Sequence, residues 1–252
     1  MVLDHPYLSI ILPAYNEEKR LGITLSELNR YFSSQPYHVE FLVIDDGSTD
    51  RTGEVASTMS DRIPALKVLR NERNRGKGYS IRRGVAEAKG AVIGFMDADY
   101  KTPIEEIERL LPWLIKGHQV VIGSRGVEGS EIEVPQPFYR QWGSRVFGVV
   151  MHLLVGLRDI PDTQCGFKFF TRKASLEIFH FQKIDGYMFD VEILCLAKRL
   201  DYAVKQVPIR WMNDADSRLQ LVRGNLRNLK ELMQIRTSLD GVGHSRKRGE
   251  TS

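Results

Sequence analysis

The chain has 252 residues, 42% of them hydrophobic and 27% charged, with a formal net charge of +4. That balance excludes a low-complexity or collagen-like chain and suits an ordinary soluble globular protein that builds its core without staples. The two cysteines, Cys165 and Cys195, exclude a disulfide framework and a cysteine zinc site; in apolar surroundings they read as reduced and buried, which fits a cytosolic compartment.

The predicted elements run in a regular alternation. Leu8 to Pro13 is an apolar run closed by proline, a buried strand. Leu21, Leu25, Leu28 and Phe32 share one face of a helix over Glu17 to Phe32. Val39 to Asp45 is a second strand, stopped by Asp45-Asp46-Gly47-Ser48. Asp50 to Met59 is a helix, with Asp50 as its cap. Leu66 to Leu69 is a third strand. A glycine-bearing loop, Asn74 to Gly78, leads into a helix from Tyr79 to Ala88. Ala91 to Met96 is a fourth strand, ending on Asp97-Ala98-Asp99. A helix from Pro103 to Ile115 and a fifth strand from Gln119 to Ile122 follow.

After Gly126 the rhythm changes. Val127 to Pro137 reads as a mobile loop, Phe138 to Leu157 as a helix or helix pair, and Arg158 to Gly166 as a loop. Lys168 to Phe170 is a short strand. Ala174 to Phe179 and Phe189 to Leu200 are helical, Ala203 to Trp211 is a last strand, and Val222 to Ile235 a closing helix. The polar end from Asp240 to Ser252 is expected to be disordered. The organisation expected is a donor half over residues 1–125, an acceptor-side and membrane-proximal half over 126–239, and a basic tail over 240–252. No signal peptide is expected, since Met1 to Pro6 leads straight into a strand.

Strands alternating with helices imply an α/β fold with an open, mostly parallel, Rossmann-like sheet flanked by helices. In such sheets ligands bind beyond the carboxyl ends of the strands. Every polar cluster named above falls at such an end. At Asp97-Ala98-Asp99 two carboxylates two residues apart can turn toward one point. Mg²⁺ or Mn²⁺ prefers such oxygen ligands and needs only one or two carboxylates plus substrate phosphates. A loop-capping acid pair on a solvated turn is the plainer alternative. Pro13-Ala14-Tyr15-Asn16-Glu17-Glu18 and Asp45-Asp46-Gly47-Ser48-Thr49-Asp50 end the first two strands. Acids there can accept from a base N–H or a ribose hydroxyl, and Tyr15 can lie against a base; helix capping and an Asp-Gly turn are the plainer readings.

These segments, with Asn74-Arg75-Gly76-Lys77-Gly78 between them, resemble family 2 glycosyltransferases of the GT-A fold. Gly123-Ser124-Arg125, Asp162-Thr163-Gln164-Cys165-Gly166-Phe167-Lys168 and Val207-Pro208-Ile209-Arg210-Trp211 are similar to the polyprenyl-phosphate branch. That branch holds dolichyl-phosphate mannose synthases and dolichyl-phosphate β-glucosyltransferases, and the form of the second segment resembles the latter most. The resemblance implies that Pro13, Tyr15, Glu17, Asp45 and Asp46 line the nucleoside pocket and that Lys77 lies near the nucleotide. It implies that Asp97 contacts nucleotide or metal, that Asp99 ligates the metal, and that Arg125 and Arg140 hold the donor diphosphate or the acceptor phosphate. Mannose synthases of the branch commonly carry Gln where Lys101 stands. An ammonium has donors and no acceptor, so Lys101 is expected on a phosphate rather than on a metal.

The function expected is inverting transfer of a hexose, glucose preferred, from a nucleotide sugar (UDP-glucose or GDP-mannose) to a polyprenyl phosphate, with Mg²⁺ or Mn²⁺. A phosphate monoester is already anionic at neutral pH and needs cations rather than a base. Arg140, Lys168, Arg210 and Arg218 are the candidates to bind it, with Arg145 beside them; surface salt bridges are the alternative for such residues. If the acceptor were a hydroxyl, as in polysaccharide or glycolipid synthesis, Asp162 would be the candidate base. A nucleotide-sugar binding subunit without turnover is a third possibility. The apolar stretch Val146 to Leu157 is too short to span a bilayer and reads as a membrane-interface segment or a buried core helix. A peripheral protein at the cytoplasmic face of a membrane is therefore expected, and no nucleic-acid module is visible.

Overall fold

The computed structural model describes residues 5–132, 155–212 and 221–239, with no account of the side chains of 221–226. Nine strands and seven α-helices fall in these segments. In chain order they are β1 (Leu8–Ala14), α1 (Leu21–Phe32), β2 (Val39–Asp45), α2 (Thr52–Ser60), β3 (Leu66–Arg70), α3 (Lys77–Glu87) and β4 (Val92–Met96). A 3₁₀ turn (Ile104–Glu106) opens directly into α4 (Ile107–Ile115). There follow β5 (Val120–Ser124), β6 (Glu131–Ile132), β7 (Phe167–Thr171), α5 (Arg172–Phe181), α6 (Phe189–Arg199), β8 (Val204–Pro208), β9 (Arg210–Trp211) and α7 (Leu221–Ser238).

Seven strands form one sheet in the order β3-β2-β1-β4-β7-β5-β8. All neighbours pair in parallel except around β7, which runs antiparallel to both β4 and β5. The expected mostly parallel sheet is therefore present, with β7 wedged into its middle. Its position follows from its composition: Phe167, Phe169 and Phe170 are buried on both faces, which only a central strand allows. Gly94 makes room for it. A Cβ there would lie 2.1 Å from the Phe169 ring.

Side chains alternate between two apolar layers. Leu8, Ile10, Leu12, Phe41 and Val43 pack with Leu25 and Leu28 of α1 and with Leu110 of α4. Ile11, Leu42, Ile44 and Phe95 pack on the other side with Ile81 of α3, Ile178 of α5, Phe189 of α6, and Leu232 and Ile235 of α7.

Several boundaries differ from the sequence reading. Helix α2 begins at Thr52; Asp50 accepts its N–H at 2.9 Å from two residues upstream, rather than standing at the cap position. Helix α3 begins at Lys77, because the turn at Asp185 accepts the Gly78 N–H at 2.9 Å and serves as its external cap. The last expected strand breaks at Ile209 into β8, on the main sheet, and β9, which pairs in parallel with β6. The expected loop after Val127 therefore holds a short strand. Residues 138–154 of the helix expected over Phe138 to Leu157, the residues Arg140, Arg145 and Arg218, and the tail from 240 lie outside the described residues.

Candidate active site

The carboxyl ends of β1, β2, β4 and β5 open on one side of the sheet, and there the side chains form one connected set. Strand β4 delivers Asp97 and Asp99, separated by the buried Ala98, whose carbonyl accepts the Thr24 hydroxyl at 2.7 Å. The next residue, Tyr100, takes a left-handed backbone, φ 56°, which turns the chain sharply after the acid pair. Non-glycine residues rarely hold that conformation, so strain is concentrated at this turn.

Each carboxylate has a cation beside it. Lys77 Nζ lies 2.7 Å from Asp97 Oδ1 and 3.8 Å from Asp190 Oδ2. Lys101 Nζ lies 3.2 Å from Asp99 Oδ2, and Arg20 Nη1 lies 3.9 Å from the same oxygen. Asp97 remains 42% exposed while Lys77 is only 17% exposed. Burial works against the Lys77 ammonium, but Asp97 and Asp190 outweigh it and raise its pKa, so it stays charged.

Gly166 closes one wall. Its carbonyl accepts the Asp97 N–H at 3.1 Å. A Cβ on it would lie 2.2 Å from Asp97 Oδ2, so the Asp97 carboxylate rests against bare backbone.

A second wall is built from the ends of β1 and β2. Tyr15 is 43% exposed at the rim. Glu17 grips Arg20 with two bonds of 2.7 Å, and Arg20 reaches on to Asp99, so this wall and the acid pair are mechanically joined. Pro13 is partly buried at the end of β1, paired in register with Ile44. Asp45 is buried: Oδ1 accepts Ser48 N–H at 2.9 Å, while Oδ2 lies 3.3 Å from Arg70 Nη1 and accepts no hydrogen bond among the described residues. That last contact is an ion pair out of hydrogen-bond alignment. Asp46 accepts Asn71 Nδ2 at 2.6 Å and the N–H groups of Arg75 and Gly76 at 2.9 and 2.8 Å. All of these bonds are internal, and they hold the loop that presents Lys77.

The other flank comes from β5 and β9. Arg125 meets Asp162 through two side-chain bonds, and its backbone N–H donates to Asp162 at 2.8 Å. Burial pushes the Asp162 pKa up, but the hydrogen bond and charge of Arg125 pull it down further, so the net shift is downward. Trp211 receives Arg125 at 5.1 Å and Lys101 at 5.9 Å from its ring. Arg210 turns away from this group and bonds Glu106 at 2.7 Å. Lys168 is fully buried; its ammonium contacts Asp190 directly and donates to the Cys165 carbonyl at 2.6 Å. It is a core cation, not an exposed one.

Asp97, Asp99, Lys77, Arg125 and Asp162 are thus brought together, whereas Lys168 is buried on Asp190 and Arg210, still 44% exposed, pairs with Glu106. Asp190, Arg20 and Trp211 join the site without having been singled out individually from the sequence. One signal pointed to Asp190: a lysine inside the apolar strand Phe167-Lys168-Phe169-Phe170 demands a buried acid. Among the described residues no three acidic, histidine or cysteine side chains converge as a metal site. Two aspartates alone match a hard divalent cation that takes its remaining ligands from phosphate and water.

A Rossmann-like sheet whose strand ends hold an acid pair beside lysines and arginine is that of a GT-A glycosyltransferase. The chain belongs to glycosyl transferase family 2, whose profile matches residues 9–179. A dolichyl-phosphate β-glucosyltransferase of Trichomonas vaginalis is 33% identical over 93% of this chain and 75% of its own length. Those of Dictyostelium discoideum and Saccharomyces cerevisiae are 31% and 30% identical, over 93% and 91% of this chain and 75% and 74% of their own. In fold, the chain is similar to glucosyl-3-phosphoglycerate synthase from Mycobacterium tuberculosis in complex with Mn²⁺, UDP and glucosyl-3-phosphoglycerate. The TM-score is 0.67 at 20% identity, over 92% of this chain and 80% of that one.

Proposed function

We propose that the chain transfers glucose, with inversion, from UDP-glucose to the phosphate of a dolichyl or related polyprenyl phosphate. The relatives named dolichyl-phosphate β-glucosyltransferase support the sugar and the lipid. The observation that carries the choice of a phosphate over a hydroxyl acceptor is the Arg125–Asp162 pair. A hydroxyl nucleophile needs a base, and the candidate base is locked in a bidentate bond with a lowered pKa. A lipid phosphate needs none, because it is already anionic.

In this reading an oxygen of the lipid phosphate attacks the anomeric carbon as the bond to the UDP oxygen breaks, and UDP departs with that electron pair. Asp97 and Asp99 would hold Mg²⁺ or Mn²⁺, which when bound supplies charge neutralisation to the diphosphate. Pro13, Tyr15, Glu17 and Asp45 line the nucleoside pocket. Asp46 acts through the 75–76 loop by placing Lys77. Lys77 and Lys101 flank the diphosphate, and Arg125, backed by Asp162 and Trp211, faces the two phosphates across the sugar. Lys168 and Arg210 act by positioning, from inside the core and from the Glu106 tether. Arg140 and Arg218 are proposed for the acceptor phosphate. No helix among the described residues is long and apolar enough to cross a membrane. A peripheral position at the cytoplasmic face, reaching the lipid headgroup, completes the proposal.

The test is a donor screen with UDP-glucose, GDP-mannose and UDP-N-acetylglucosamine against dolichyl phosphate, with Mn²⁺ or with EDTA. The expected result is a glucosylated lipid, labile to mild acid, formed from UDP-glucose and lost in EDTA. An acid-stable product would point to a hydroxyl acceptor, and full activity in EDTA would remove the metal.

A further inference from the structure

Asp190 reaches the site from outside every strand-end motif. It stands in the first turn of α6, almost wholly buried, between two ammonium groups. Lys168 touches it directly, and Lys77 lies 3.8 Å away. Lys77 in turn lies 2.7 Å from Asp97. One ammonium therefore spans two carboxylates, one closed to solvent and one open to it.

The backbone fixes this spacing. The Asp185 carbonyl accepts the Gly78 N–H at 2.9 Å, so the turn leading to α6 is fastened to the start of α3. Gly76 permits that approach: its φ is +106°, and a Cβ there would lie 2.3 Å from the Asp185 oxygen. Arg82 adds a bond to Asp185 at 2.6 Å. Lys77 and Asp190 thus hang from one fastened junction.

We propose that Asp190 is a positioning residue, the second counter-ion that receives Lys77 when Asp97 turns to a divalent cation. The inference rests on the metal role of Asp97 proposed above. An ammonium 2.7 Å from Asp97 competes with any cation for the same oxygen. Releasing it without another partner would strand a charge in a region of low dielectric. Asp190 is already within reach, and Lys168, with its second bond to the Cys165 carbonyl, holds it in place. Lys77 then stays at the mouth of the site, held by Asp190 and still charged toward a diphosphate. Lys77 and Lys168 balance Asp97 and Asp190 before the exchange, so the added cation arrives at a neutral cluster.

The test is binding of Mn²⁺ alone, followed by loss of its free EPR signal, to the full chain and to Asp190→Asn, Lys77→Met and the double variant. Asp190→Asn is expected to weaken Mn²⁺ binding about tenfold, and to have less than about a twofold effect in the Lys77→Met background. Lys77→Met by itself is expected to tighten binding several-fold, because the competing ammonium is gone. An equal loss from Asp190→Asn in both backgrounds, which a purely structural role would give, overturns the proposal. So does a Lys77→Met variant that binds no more tightly, a result that stands even if Asp190→Asn does not fold. Failure of the unaltered chain to bind Mn²⁺ would instead remove the metal reading itself, and the proposal with it.

Discussion

Arg125 and Asp162 meet through two parallel hydrogen bonds, Nε to Oδ2 at 2.7 Å and Nη2 to Oδ1 at 2.8 Å. The residues lie on opposite sides of a segment of 36 intervening positions, so this pair ties the end of β5 to the loop before β7. The geometry makes Asp162 an anchor for a guanidinium, with its own basicity spent.

Asp162→Asn is expected to lower stability at pH 7 by about 2 kcal/mol, less than the ~3–5 kcal/mol of a fully buried broken pair, because the guanidinium is still 28% exposed. The pH dependence has a definite sign. The folded pKa of Asp162 lies below its ordinary value, so its contribution is complete above about pH 4 and is lost as pH falls through the folded value. Urea midpoints at pH 7 and pH 3 should therefore differ more for the unaltered chain than for Asp162→Asn. An identical difference in both would show that the pair carries no such linkage.

Gly166→Ala separates folding from chemistry. The atoms a new methyl would meet are those of the Asp97 carboxylate, Oδ2 at 2.2 Å, Cγ at 2.4 Å and Oδ1 at 2.5 Å, which a side-chain rotation can move. The thermal midpoint is expected to fall by only a few degrees, as for a change of roughly 1 kcal/mol. Glucosyl transfer is expected to drop by about 100-fold, because a 1 Å misplacement at a reacting centre costs that much. A variant with near-normal turnover would mean that the orientation of Asp97 is not set by this wall.

Lys168→Met leaves Asp190 short of its closest partner inside the core. A loss of roughly 3 kcal/mol in urea unfolding is expected, since a buried charge loses its counter-ion. If Lys168 instead bound the acceptor phosphate, the variant would fold normally and raise only the KM for lipid phosphate. Stability and acceptor KM measured on one preparation distinguish the two.

Both thiols should be silent in the native state. Burial pushes Cys165 and Cys195 each up to about 12, far from thiolate formation at neutral pH. A colorimetric disulfide reagent at pH 8 is expected to titrate neither thiol in the folded chain and both in urea. Fast reaction of either in the folded chain would contradict the burial that the fold assigns them.

Much of the site was legible in the sequence. In a parallel α/β sheet the strand ends open on one side, so Tyr15, Asp45 and Asp97 had to lie on the same side of the sheet once their strands were recognised. Short apolar runs closed by Pro13, Asp45 and Asp97 fixed those strands, and local periodicity placed the helices between them. What local pattern could not carry was pairing over long separations. Nothing in Phe167-Lys168-Phe169-Phe170 says that this strand runs backwards between β4 and β5. With that insertion come the burial of Lys168, its meeting with Asp190 22 residues away, and the pressing of Gly166 against Asp97.

The sequence by itself determined the class of sheet and the acid pair at a strand end, because those depend on residue type and on position along a strand; Lys77 and Arg125 near that pair were implied by the family resemblance. Only the tertiary structure decided which charges remain open to a ligand and which are spent on each other. Asp46 was expected at the nucleoside and Asp162 as a candidate base, yet one holds a backbone loop and the other a guanidinium. Asp97, with Gly166 against it and Lys77 shared with Asp190, is the acid left 42% exposed. Desolvation and partner geometry in three dimensions make that distinction, and neither is a property of a short stretch of chain.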